Sequence, residues 1–94
     1  MPKFKVAHLR EQGQNMLLFP LDSSFHHKSP DEQSVIVGEL EVHAHAAGLA
    51  GSAAVFWEYG GRSYFRGPRQ WQAFLRSISY GWVTMQVNRE ISWP

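Results

Sequence analysis

At 94 residues the chain has the length of one two-layer domain, and at that size about two-thirds of the unfolded surface should be buried on folding. An apolar fraction of 44% excludes global disorder, no apolar run approaches the roughly 20 residues that cross a bilayer, and the lack of cysteine removes disulfides, thiolate nucleophiles and cysteine zinc sites together. The net charge of +1 hides an asymmetry, since residues 1–55 carry four basic and six acidic side chains while residues 56–94 carry five arginines against Glu58 and Glu90, too mild a balance for a dedicated duplex DNA binder.

The first residues, Met1-Pro2-Lys3-Phe4-Lys5, are charged without a following apolar stretch. No signal peptide is read there, and a cytoplasmic address with no membrane partner is expected. Residues 4–9 and 16–21 have strand character and are joined by the polar loop of residues 10–15. Pro20 cannot donate to a ladder, so the second strand should lie at an edge or end near that residue. A polar loop over residues 22–28 follows. Ser29-Pro30-Asp31-Glu32 then gives a helix start: Ser29 caps, Pro30 suits the first turn, and Glu32 completes a capping box. That helix should run to Ala47, with Gly48 as its stop. Ile36, Leu40, His43 and Ala47 form its inward stripe, and Ser34, Gly38, Glu41 and His45 point away.

The next stretch is the most specific of the chain. Gly60-Gly61 supplies the positive φ angles of a two-residue primed hairpin turn between two runs of β-branched and aromatic residues. The register follows, with Tyr59 opposite Arg62, Trp57 opposite Tyr64 and Val55 opposite Arg66 on one face, and Phe56 opposite Phe65 with Glu58 opposite Ser63 on the other. A second helix begins at Gly67-Pro68 and carries the stripe Trp71, Phe74, Leu75 and Ile78. The last segment supports two readings. Val83, Met85, Val87, Ile91 and Trp93 alternate as in a strand, whereas Tyr80, Val83, Val87 and Ile91 align on a helical face; the strand is preferred. The expected fold is therefore a single α+β domain over residues 1–94, a two-layer sandwich of order ββαββαβ with an antiparallel sheet of about five strands and two helices on one face.

Catalytic and metal chemistry find little support. His43 and His45, two apart on a helix, point about 200° from each other and cannot chelate one ion, and His26 and His27 read as solvated loop. Asp22, Ser23, Ser24 and His26 contain the residue types of a triad, but no nucleophile elbow or oxyanion loop accompanies them, and Asp-Ser-Ser is ordinary turn chemistry. The glycine pairs lack phosphate-loop context. No catalytic residue, metal ligand or cofactor is expected.

The hairpin face offers the candidate binding site, made of Trp57, Tyr59, Arg62, Tyr64 and Arg66. Exposed tryptophan, tyrosine and arginine are the types most enriched at protein hot spots. The expectation is a non-catalytic protein-interaction domain that binds a protein partner or a second copy of itself. The alternative is single-stranded nucleic acid stacked on the rings. Against it, Gly61-Arg62-Ser63-Tyr64-Phe65 lacks the glycine-aromatic alternation of sheet-based single-strand readers, and the element order is not βαββαβ. A third reading buries the rings beneath the N-terminal hairpin or the C-terminal segment.

Overall fold

Two apolar runs, residues 16–19 and 53–57, are buried at every position, so neither face of the strands that carry them meets solvent. The computed structural model describes residues 3–11 and 13–92, and the sequence-based placements of Gln12 and Trp93 fall outside them. Five strands, β1 (Lys3–Glu11), β2 (Gln14–Pro20), β3 (Ser52–Tyr59), β4 (Arg62–Arg66) and β5 (Arg89–Ser92), form one sheet in the order β4-β3-β2-β1-β5. Among the described residues three α-helices, α1 (Pro30–Ala46), α2 (Gln72–Arg76) and α3 (Tyr80–Gln86), flank it.

The architecture is α+β, but three expected details are corrected. The helices number three among the described residues where two were expected, because α3 stands between α2 and the last strand, and the order is ββαββααβ in place of ββαββαβ. The sheet is mixed, because β2 and β3 are parallel while the β1/β2, β3/β4 and β1/β5 pairs are antiparallel. A helix between β2 and β3 carries the chain back to the end where it started, and a strand entered that way runs parallel to its predecessor. The helices also divide between the two faces. Leu40 and Ala44 of α1 pack with Val6, Leu17, Phe19 and Val55, whereas Leu75 of α2 and Val83 of α3 pack with Ala7, Leu18, Ala54 and Phe56. Consecutive strand residues thus feed opposite cores, and this explains the uninterrupted apolar runs.

Local signals act as expected at the start of α1. The Ser29 hydroxyl accepts from the Glu32 N–H at 3.2 Å and the Glu32 carboxylate accepts from the Ser29 N–H at 3.1 Å, a reciprocal capping box. The buried stripe is rotated, however. Gln33, Leu40 and Ala44 face inward with Ile36 and Val37 half-buried, while Ala47 is exposed and His43 is half-buried. Gln33 tolerates burial because its amide is satisfied at both ends, donating to the Phe25 carbonyl at 3.0 Å and accepting from Arg66 Nε at 3.1 Å.

Past α1 the chain turns at Gly51, whose φ is +127° and where an added Cβ would lie 2.5 Å from the Asn15 carbonyl oxygen. The second predicted helix is shorter than expected. A 3-10 turn at Arg69–Trp71 leads into α2; Trp71 and Leu75 are buried and Phe74 and Ile78 half-buried, all facing the same core.

The C-terminal segment contains both periodicities in succession. Ser79 caps α3, which buries Val83, and β5 then buries Ile91. Asn88 makes the switch: its N–H donates to Val6 O at 3.1 Å, its amide nitrogen to His8 O at 3.1 Å, and its amide oxygen accepts from His8 N–H at 2.9 Å.

β1 changes partners at this point. Residues Lys3 to Val6 pair with β5, and Ala7 to Glu11 pair with β2. Pro20 gives the reason. The Leu21 N–H donates to Phe56 O at 2.8 Å, toward β3, so the neighbouring Pro20 faces β1 with the side that has no N–H to give. The β1/β2 ladder ends at Leu18 and the two strands part beyond it.

Candidate functional site

The hairpin has the register that its glycines dictate. Gly60 and Gly61 have φ of 61° and 80°, and Tyr59↔Arg62, Trp57↔Tyr64 and Val55↔Arg66 are paired as the sequence predicts. Trp57, Tyr59, Arg62, Tyr64 and Arg66 therefore share a face, the one on the α1 side. What covers part of it is a 3-10 turn, Ser23–His27, in the stretch that the sequence presents as a polar loop. That expectation is corrected by Phe25, which is buried in the core shared with α1 and draws the turn down onto the hairpin.

Phe25 and Trp57 have ring centroids 4.8 Å apart, and Trp57 stacks on Tyr64 at 5.8 Å with planes 14° apart. Trp57 retains 5% of its accessible surface, and its indole N–H donates to His26 Nδ1 at 3.2 Å, which makes Nδ1 the unprotonated ring nitrogen. Arg66 is also built in: its Nε donates to Gln33 Oε1 at 3.1 Å and one terminal nitrogen to Ser34 Oγ at 3.4 Å. Both partners are neutral and both sit on α1.

The outer half of the face is different. Tyr59 is 40% exposed and stacks on His26 at 4.1 Å with planes 8° apart, while His27 meets it edge-on at 5.3 Å. Tyr64 is half-buried with His26 at 4.9 Å. Arg62 is exposed and has no hydrogen-bond or ion-pair partner among the described residues. The five expected residues thus come together in space, with Trp57 and Arg66 turned into framework and Tyr59, Arg62 and Tyr64 presented outward. Tyr59 ends β3, and Arg62 and Tyr64 lie on β4, an edge strand of the sheet.

His26 and His27 are the members of this corner that sequence reasoning missed. The usable signal was Phe25, a large apolar ring in an otherwise polar run, which implies an anchored turn. Asp22 caps that turn, its carboxylate accepting from the Ser24 N–H at 2.8 Å and from the Ser24 hydroxyl. These two bonds hold the Asp22 carboxyl below its ordinary range, and the Ser29 N–H and hydroxyl lower Glu32 in the same way. The Asp22-Ser23-Ser24 run is turn chemistry. His8 and His45 lie at residues 50–51 instead, His45 Nε2 being 2.6 Å from Gly51 O and His8 Nε2 3.2 Å from Ala50 O. Among the described residues no three His, Asp or Glu side chains converge as metal ligands, and no helix is long and apolar enough to cross a membrane.

A second feature, not anticipated from sequence, lies where β1 and β2 part. A cleft of about 620 Å³ runs between Lys3, Phe4 and Lys5 on one side and Pro20, Leu21 and Asp22 on the other. Ile36, Glu39 and Leu40 of α1 wall one face, and Tyr80 and Thr84 of α3 with Val87 wall the other. Phe25 lines this cleft as well, so the 3-10 turn stands between the two features.

A scan against protein-family models and searches of curated proteins and of solved structures found no match to this chain.

Proposed function

We propose that this chain is a non-catalytic protein-interaction domain whose contact surface is the outward rim Tyr59, Arg62 and Tyr64, extended by His26 and His27 and by the free edge of β4. The observation that carries the reading is Tyr59, a large ring held flat on His26 yet 40% exposed, beside an arginine with no acid partner among the described residues. A rigid aromatic loses little side-chain entropy on binding, and an unpaired guanidinium beside it supplies directional donors. Edge strands recruit extended segments through main-chain hydrogen bonds, with alternate side chains giving specificity.

Charge selects among protein partners. If β4 paired antiparallel with its own copy about Tyr64, Arg62 would stand opposite Arg66 of that copy, a destabilising like-charge pair. An extended segment with acidic side chains at alternate positions fits the same edge better. Single-stranded nucleic acid is the weaker alternative, because Trp57 is buried and Arg66 is engaged with Gln33 and Ser34, which leaves little stacking surface.

Selection of random peptides on the immobilised domain tests the reading. Enriched sequences should carry alternating acidic residues, and their binding should be lost with Arg62→Glu or Tyr64→Ala. Micromolar or tighter binding of a random single-stranded oligonucleotide at physiological salt, with a salt slope reduced by Arg62→Ala, would replace this reading with the nucleic-acid one.

A further inference from the structure

The cleft opened by Pro20 is separate from the tyrosine rim and has the make-up of a small-molecule site. Its volume of about 620 Å³ is within the range that encloses small ligands. Buried Leu21, Phe25 and Leu40 form its floor, and half-buried Ile36 and Val87 its walls. It exists because the first half of β1 pairs with β5 and has no strand on its β2 side, so the opening passes between two strands and lies between helices on both faces.

The two mouths differ in charge. Side chains alternate along β1, and Val6 packs in the α1 core while Ala7 packs with Val83 of α3, so Lys3 and Lys5 project on the α3 side. There they are joined by Tyr80 and Thr84; no acid of the lining lies on that side, and Glu90, which stands opposite Lys5 in the β1/β5 ladder and shares its face, lies outside the lining and forms no ion pair with it. The acids belong to the opposite mouth. Glu39 is on α1, and Asp22 caps the 3-10 turn, where its carboxylate already accepts two bonds from Ser24 and has Lys28 near it. Neither Lys3 nor Lys5 has a carboxylate within ion-pair distance among the described residues. The Thr84 hydroxyl donates to Gly81 O at 2.7 Å, and the Tyr80 hydroxyl has no hydrogen bond among the described residues.

From this asymmetry we infer that the cleft binds a small amphipathic carboxylate, with its apolar body between Ile36, Leu40 and Val87 and its carboxylate at the mouth formed by Lys3, Lys5 and Tyr80. Charge complementarity selects the head group. A neutral head forfeits the two ammonium groups, and a cationic head is repelled by them.

Decanoate, decanol and decylammonium, each below its aggregation threshold, are titrated into the full chain by calorimetry while methyl chemical shifts record where they bind. Decanoate should bind with one-to-one stoichiometry and shift the methyl signals of Ile36 and Val87. Lys3→Met and Lys5→Met should each weaken it roughly ten-fold, the equivalent of one charge-assisted contact, and leave the weaker binding of decanol unchanged. Both lysines are exposed, so the variants should melt with the parent. Thr84→Trp, filling the mouth from an exposed position, should abolish decanoate binding with the fold intact. Absence of saturable decanoate binding, equal affinity for decylammonium, or binding that leaves the methyl signals of Ile36 and Val87 unshifted would overturn the assignment.

Discussion

The 3-10 turn at Ser23–His27 separates two regions that begin alike and end differently. On one side, at β3/β4, the ladder is unbroken and Trp57, Tyr64, Phe25 and His26 fill the angle between turn and hairpin. On the other, at β1/β2, a proline without an N–H interrupts the ladder and the same Phe25 borders open space. The difference teaches that apolar side chains alone do not close a sheet end. Closure at the hairpin depends on continuous backbone pairing that brings cross-strand rings within stacking distance, and loss of one donor at Pro20 removes it.

Substitutions inside the two regions should differ in cost. Trp57→Ala removes the ring at the centre of the closed corner and leaves His26 without its donor, so it should destabilise the domain by about 3–5 kcal/mol in chemical denaturation. Leu40→Ala, buried beside the cleft, should cost about 2–3 kcal/mol, because the vacated space merges with a solvent-accessible opening rather than forming a sealed void. Equal costs would mean that the two ends are closed to the same degree.

Smaller effects test the frame that holds the turn. Ser29→Ala removes the hydroxyl that accepts the Glu32 N–H, leaving only the bond from the residue 29 backbone N–H to the Glu32 carboxylate, and should cost about 1 kcal/mol. The Glu32 carboxyl is held below its ordinary value of 4.5 by Ser29, so its contribution is present above that value and fades as pH falls through the lowered one. Glu32→Gln should therefore be less stable than the parent at neutral pH and converge with it in acid, which melting curves across that range will show. A gap that widened on acidification would reverse the assigned sign.

The smallest expected change in stability is at the rim. Arg62→Ala, at an exposed and unpaired position, should alter the free energy of unfolding by no more than about 0.5 kcal/mol while removing peptide binding. Loss of folding in this variant would show that Arg62 is framework like Arg66.

The closed region was the legible one. Gly60-Gly61 pins a two-residue turn, and once the turn is fixed the register of every cross-strand pair follows by counting. The start of α1 was equally readable, since the cap, the proline and the returning carboxylate occupy adjacent positions. The parallel β2/β3 pair was not read, although residues 16–19 and 53–57 carried its signature of unbroken apolar runs. The C-terminal segment was ambiguous because a helical stripe through Val83 and a strand through Ile91 adjoin at Asn88. Burial of Trp57 depends on a turn that arrives from residues 23–27, distant in sequence, and the cleft depends on which side of a strand Pro20 turns toward its neighbour. Neither relation is local, so neither is visible in a pattern along the chain.

The division of the hairpin face into a built-in half and a presented half can be tested by proton exchange followed by NMR on the free monomer. The Trp57 indole N–H, donated to His26 Nδ1 beneath the 3-10 turn, should exchange orders of magnitude more slowly than the outward-facing amides of β4. An indole proton exchanging as fast as those edge amides, or edge amides protected in the monomer, would contradict the account.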